Sequence, residues 1–130
     1  MEDFSQLVSQ ALIEDIGSGD HSSQASIPKE AVGKAKLLVK DEGVIAGLEV
    51  AKEVFRQVDQ NCQLTFFKKD GDSIAQGDIA FEVEGNAQSI LRAERLSLNF
   101  MQRMSGIATF TKHLTTLIDG TKTKILDTRK

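Results

Sequence analysis

The sequence predicts an α+β fold. Three observations predict it: short runs in which apolar and polar residues alternate, amphipathic stretches of helical period on either side of them, and strong turn signals in between. With 130 residues, 40% hydrophobic and 27% charged, the chain can bury roughly two-thirds of its unfolded surface and needs no covalent staple.

The elements follow in order. Phe4, Leu7, Val8, Ala11, Leu12 and Ile16 recur at three- and four-residue spacing, which predicts an amphipathic helix ended by Gly17. Residues 17–23 form a polar loop. As a phosphate cradle it is a weak candidate, because no strand precedes it. Pro28, the single proline, stands before the first strand. Over residues 34–40, Ala35, Leu37 and Val39 alternate with Lys36, Leu38 and Lys40, a strand with one wet face. Asp41-Glu42-Gly43 turns the chain into Val44-Ile45-Ala46-Gly47. A second amphipathic helix carries Val50, Ala51, Val54, Phe55 and Val58. Residues 63–68 predict another strand, and Lys69-Asp70-Gly71-Asp72 a turn. Ile79, Phe81 and Val83 alternate with Ala80, Glu82 and Glu84 in a half-buried strand closed by Gly85.

A long helix is predicted from about Asn86, its N-cap, to Met104. Ala93, Leu96, Phe100, Met104 and Ile107 form its apolar face, widened by Leu91, Leu98 and Met101. A separate stripe carries Arg92, Arg95, Asn99 and Gln102. Gly106 is expected to break this helix, and residues 107–118 to form another. Asp119-Gly120 is a turn. Thr123 to Leu126 is a β-prone run that needs pairing partners, so it is read as opening a further domain.

Composition narrows the function. Residues 1–90 hold 8 basic and 16 acidic side chains, net −8; residues 91–130 hold 8 and 3, net +5. The last third can therefore face anions. Trp and Tyr are absent, which leaves only seven Phe to stack on bases and argues against nucleic acid. No apolar run has membrane length. The single Cys62 forms no internal disulfide and reads as a small buried hydrophobe, in keeping with a reducing cytoplasm. His21 and His113 belong to no ligand-spaced cluster, so no metal ligand is assigned. The candidate site residues are Arg95 and the Arg129-Lys130 pair. Arginine offers a planar fork for a carboxylate or phosphate and lysine a compact charge. A strand's C-terminal end is where α/β barrels place such groups. Taken alone, both features fit solvated surface as well.

Several stretches together resemble the quinolinate phosphoribosyltransferase family. They are residues 11–20, Glu42-Gly43-Val44-Ile45-Ala46-Gly47, Lys69-Asp70-Gly71-Asp72, Ala93 to Phe100, Ser105-Gly106-Ile107-Ala108-Thr109, and Ile125 to Lys130. The resemblance implies an N-terminal α/β sandwich, an antiparallel sheet with helices, over residues 1–106. Residues 107–130 would begin an α/β (TIM-like) barrel. It implies joining quinolinate to 5-phosphoribosyl-1-pyrophosphate with Mg²⁺, releasing pyrophosphate and CO₂ and yielding nicotinate mononucleotide for NAD synthesis. It implies a cytoplasmic homodimer in which one subunit's N-terminal domain caps the other's barrel. Carried over residue by residue, Arg129 clamps a quinolinate carboxylate. Lys130, the catalytic candidate, faces the donor's phosphates or that same carboxylate. Arg95 reaches the partner's quinolinate, Thr128 contributes its hydroxyl or backbone, and Asp127 orients its neighbours. The Mg²⁺ ligands are expected downstream, and the 130 residues alone are expected to be inactive. Rival readings are a biotinyl- or lipoyl-like carrier, a molybdenum-associated or nicotinate phosphoribosyltransferase paralogue, and a dimerisation module built on Leu91 to Ile107.

Overall fold

A computed structural model describes residues 4–16 and 27–128. Its elements are α1 (Ser5–Ile16), β1 (Val32–Leu38), β2 (Gly43–Val44), α2 (Leu48–Val58), β3 (Gln63–Phe66), β4 (Ser73–Ile74), β5 (Ile79–Asn86) and α3 (Ala87–Leu117). The expected α+β class is what forms: a helix-backed antiparallel sheet. The loop over residues 17–23, the helix stop at Gly17, and Arg129 and Lys130 lie outside the described residues.

β5 is the middle strand, paired antiparallel with β1 on one side and β3 on the other. The register decides the two faces. Ala35, Val83 and Leu64 lie side by side, as do Leu37, Phe81 and Phe66, and these rows face the helices. Lys34, Glu84 and Gln63, then Lys36, Glu82 and Thr65, form the rows on the opposite face. Opposite charges therefore sit directly across from one another, Lys34 from Glu84 and Lys36 from Glu82. The alternation read from the sequence is this register, except that Ala80, read on the polar side with Glu82 and Glu84, is fully buried where the register shifts opposite Leu37 and Leu38. β1 ends at Leu38, two residues early, after a register shift between Leu37 and Leu38. Val39 nevertheless stays buried, its amide donating to the Asp78 carbonyl at 2.8 Å.

Phe55 of α2 is the core's keystone. It is 1% exposed and meets the edge of Phe81 at 6.1 Å between centroids, and Phe81 meets Phe66 at 5.4 Å. Val54, Ala51, Leu48, Ile90, Ala93, Leu96 and Met101 complete the packing between α2, α3 and the sheet. α1 joins through a narrow ridge, with Val8 fully buried and Phe4, Ala11 and Leu12 partly so. Leu7, placed on the apolar stripe by spacing, is 59% exposed. The packed ridge of α1 is Phe4, Val8, Ala11 and Leu12, and Leu7 lies off it. Gln57 of α2 fixes the start of α1, donating to the Ser5 carbonyl at 2.8 Å.

α3 shows two outcomes. Asn86 is its N-cap as expected, accepting from the Ser89 amide at 3.1 Å. Gly106 does not break it: the helix runs unbroken for 31 residues, crossing the expected domain boundary at 106/107. One helical glycine costs about 1 kcal/mol relative to alanine. Ser105 and Thr109 on either side are hydrogen-bonded to another segment, which outweighs that cost. Beyond Met104 the helix outruns the sheet. Ile107, assigned to the apolar face, is 60% exposed, as are Phe110 at 63% and Leu117 at 67%. The β-prone run from Thr123 to Leu126 does not form a strand, because no described strand lies beside it to pair with.

The α2 N-terminus is capped in trans. Gly47 occupies the cap position with φ 94° and offers no side chain. A Cβ there would come within 3.2 Å of the Met101 Cα, so α3 packs directly on this backbone. The carboxylate of Asp70, in the β3–β4 turn, accepts from the Leu48 amide at 2.7 Å and the Glu49 amide at 3.3 Å. Replacing Asp70 with Ala is expected to cost about 1 kcal/mol in denaturant unfolding. Asn, which keeps one acceptor but loses the charge, should fall between. An Asp70→Ala protein as stable as the wild type would exclude the cap.

Along α2, Glu53 receives Arg56 and Gln57, and these bonds hold its carboxyl down to about 2 from an ordinary 4.5. The folded pKa lies below the unfolded one. The stabilisation is therefore complete above pH 4.5 and is lost as pH falls toward about 2. Glu53→Gln should be less stable than wild type at neutral pH, with the gap closing on acidification. Urea midpoints at pH 6 and 3 that differ equally would contradict this.

Candidate functional site

Arg95 lies in the first third of α3 with its side chain 65% exposed. Its guanidinium is not loose. Nη2 donates to Asp15 Oδ2 at 3.0 Å and to the Asp15 carbonyl at 3.2 Å, and Nε reaches the same Oδ2 at 3.3 Å. Asp15 sits in the last turn of α1, so the closing helix and the opening helix meet at this pair. Arg92, one turn earlier on α3, has its Nε buried without a hydrogen-bond partner among the described residues. Asn99 and Gln102 continue the stripe as exposed surface.

Thr128 and Asp127 are exposed at the far end, past α3 and the Asp119-Gly120 turn, where Gly120 takes φ 81°. Roughly 33 Å of helix axis, at 1.5 Å per residue, separates Arg95 from the end of α3. Among the described residues no contact joins Thr128 or Asp127 to Arg95. Arg129 and Lys130 lie outside the described residues. Among the described residues no three His, Cys, Asp or Glu side chains gather as a metal site. No described residue is therefore assigned to Mg²⁺. His113 is an exposed side chain of α3. Cys62 is half-buried, packed so that a Cβ on Gly85 would lie 3.1 Å from its sulfur. Burial, aided by the Asp59 carboxylate, pushes its thiol up, away from the nucleophilic thiolate.

Three of the sequence motifs turn out to be one piece of architecture. Ser105 Oγ accepts from the Ala46 amide at 2.9 Å and donates to the Ala46 carbonyl at 3.1 Å. Thr109 Oγ1 accepts from the Val44 amide at 3.0 Å and donates to the Val44 carbonyl at 3.4 Å. Two hydroxyls one helical turn apart thereby hold alternate residues of an extended segment, matching its two-residue period to the helix's four. Gly43 makes room, since a Cβ there would meet Thr109 Oγ1 at 2.6 Å. Asp70, from the third motif, caps the helix that this segment leads into. Residue spacing could not reveal this, because the partners lie 59 and 65 residues apart. The pairing of Asp15 with Arg95, 80 residues apart, was invisible for the same reason.

The rival readings lose ground on the same geometry. In that hairpin Asp70 caps α2, and the lysine beside it, Lys69, lies between Lys68 and Asp70 without the small or sulfur flanks of a carrier hairpin. The Leu91–Ile107 face is largely spent on the core, with Ala93, Leu96 and Met101 buried. No helix among the described residues is long and apolar enough to cross a membrane.

A two-layer α/β domain with an arginine held at the surface of its longest helix is the class that fold and site define. Residues 20–105 match the family described as Quinolinate phosphoribosyl transferase, N-terminal domain, and the chain belongs to that family. It is 42% identical over 125 residues to the probable carboxylating nicotinate-nucleotide pyrophosphorylase of Bacillus subtilis, covering 96% of this chain and 43% of that protein. It is 41% identical over 129 residues to the mitochondrial decarboxylating quinolinate phosphoribosyltransferase 2b of Nicotiana tabacum, covering 98% and 36%. The nicotinate-nucleotide pyrophosphorylase structure from Francisella tularensis superposes with a TM-score of 0.88 at 40% identity, over 96% of this chain and 45% of that one. NadC from Streptococcus pyogenes does so with a TM-score of 0.92 at 35% identity, over 97% and 45%. The chain thus spans less than half the length of these relatives.

Ser105→Ala should leave the Ala46 amide without its acceptor and cost about 1–3 kcal/mol. Thr109→Val should act likewise on Val44, and Thr109→Ser, which keeps the hydroxyl, should recover most of the loss. Thermal unfolding unchanged by Ser105→Ala would remove this contact from the fold's support.

Proposed function

We propose that the protein carrying these residues joins quinolinate to 5-phosphoribosyl-1-pyrophosphate, forming nicotinate mononucleotide with release of pyrophosphate and CO₂. The observation that carries this reading is the family match over residues 20–105, with relatives 41–42% identical over nearly the whole chain, through a domain whose Arg95 guanidinium stands exposed on its longest helix. Quinolinate brings two carboxylates and the sugar donor brings phosphate and pyrophosphate, so the site must be cationic. The +5 charge of residues 91–130 supplies part of that. One charge pair about 4 Å apart near a protein surface is worth on the order of 4 kcal/mol at an effective dielectric of 20.

In this reading the pyridine nitrogen attacks the sugar carbon, and the chain's own residues bind and orient. Arg129 and Arg95 take quinolinate carboxylates, Arg95 across a homodimer. Thr128 contributes its hydroxyl or backbone. Lys130, as the catalytic candidate, stabilises charge on the donor or on a carboxylate. Mg²⁺ would accompany the donor's pyrophosphate and neutralise its charge, through ligands that the described residues do not provide. The family's sandwich domain would end near residue 106 and its barrel begin at 107. A cytoplasmic location fits the lone Cys62.

Arg95→Ala in the full-length protein is expected to raise the quinolinate KM at least tenfold, about 1.4 kcal/mol, while the thermal midpoint barely moves. A collapsed midpoint with unchanged quinolinate affinity would make Arg95 a structural residue instead.

A further inference from the structure

We propose that Asp15 is a positioning residue: it sets the plane of the Arg95 guanidinium so that Arg95 meets a planar dicarboxylate already oriented. The proposal rests on the reading of Arg95 as a quinolinate ligand given above.

Asp15 is an unusual choice where it stands. It occupies the last turn of α1, preceded by Glu14, and that turn holds no basic residue. The C-terminal end of a helix carries partial negative charge and exposed carbonyls, so a carboxylate there is unfavourable unless a cation answers it. Arg95 answers both features at once. It donates to the Asp15 carbonyl and to the Asp15 carboxylate from a single guanidinium edge, through Nε at 3.3 Å and Nη2 at 3.0 and 3.2 Å. Asp15 is the better buried partner, its side chain 19% exposed against 65% for Arg95.

Three hydrogen bonds on the Nε–Nη2 edge fix a planar group in both position and tilt. An arginine on an exposed helix otherwise carries rotamer freedom that is lost when it binds. Asp15 removes part of that freedom beforehand, which favours binding without adding a contact to the ligand. An exposed pair of this kind contributes little to folding, so the fold does not depend on it. A role in binding is therefore separable from a role in stability.

The test is a double-mutant cycle in the full-length protein, with Asp15→Ala, Arg95→Ala and the two together, and Asp15→Asn as the conservative variant. Initial rates give kcat and KM for each substrate, calorimetry gives the quinolinate Kd, and thermal unfolding runs beside them. The expected result is a 3- to 10-fold rise in quinolinate KM and Kd for Asp15→Ala, with kcat, the donor's KM and the thermal midpoint nearly unchanged. Asp15→Asn should recover part of the loss, because one acceptor oxygen remains. The double variant should bind no worse than Arg95→Ala alone. If Arg95→Ala weakens quinolinate binding and Asp15→Ala does not, or if the two losses add, the positioning role is overturned while the Arg95 reading stands. If Arg95→Ala itself leaves quinolinate binding intact, the Arg95 reading fails and takes the Asp15 role with it.

Discussion

The rest of the domain depends on how the backbone of residues 43 to 49 is hydrogen-bonded. This segment links the small β2–β4 ribbon to α2, and neither element satisfies all its amides. Ser105 and Thr109 take the Ala46 and Val44 amides from one side, and Asp70 takes the Leu48 and Glu49 amides from the other. A part-buried backbone donor left unpaired costs about 1–3 kcal/mol, so the Ser105 and Thr109 bonds constrain where α3 can lie, while the Asp70 bonds tie the β3–β4 turn to α2. Once α3 is seated, Met101 closes on Gly47, and Leu96 and Ile90 reach the sheet to complete the core around Phe55.

Those bonds also explain the shape of α3. A glycine in mid-helix invites a break, yet Ser105 and Thr109 bracket Gly106 and hold both neighbouring turns against one extended strand of backbone. The helix is therefore continuous from the core to the exposed Ile107, Phe110 and Leu117. A continuous helix is a stiff carrier. It holds Arg95 at a fixed height above the sheet and leads the chain toward the residues that follow it. Two sides of one element thus differ: hydroxyls and apolar groups face inward, and Arg95, Asn99 and Gln102 stand exposed.

The fold was legible in the residues to a large degree, because alternation and helical spacing report which side of an element is wet. Ala35 against Lys36, and Phe81 against Glu82, needed no partner to be assigned correctly. The misreadings share one cause. Leu7 and Ile107 have the right spacing to be buried, and Thr123 to Leu126 the right composition for a strand. Burial and pairing require something on the other side, and a local pattern does not say whether it is there. Gly106 failed in the opposite sense, since its local cost was outweighed by contacts from distant residues.

The sequence by itself determined the α+β class, the inward and outward faces of the strands, the Asn86 cap, and the family, the last because ordered motifs survive without coordinates. Only the tertiary structure decided what those motifs do. Glu42 to Gly47, Lys69 to Asp72 and Ser105 to Thr109 carried the family resemblance and proved to be one interlocked support, while Arg95 acquired a partner in Asp15. The physical reason is the range of the forces involved. Side-chain periodicity is written within a few residues along the chain, whereas hydrogen bonds are satisfied by whichever groups the packed core brings within about 3 Å.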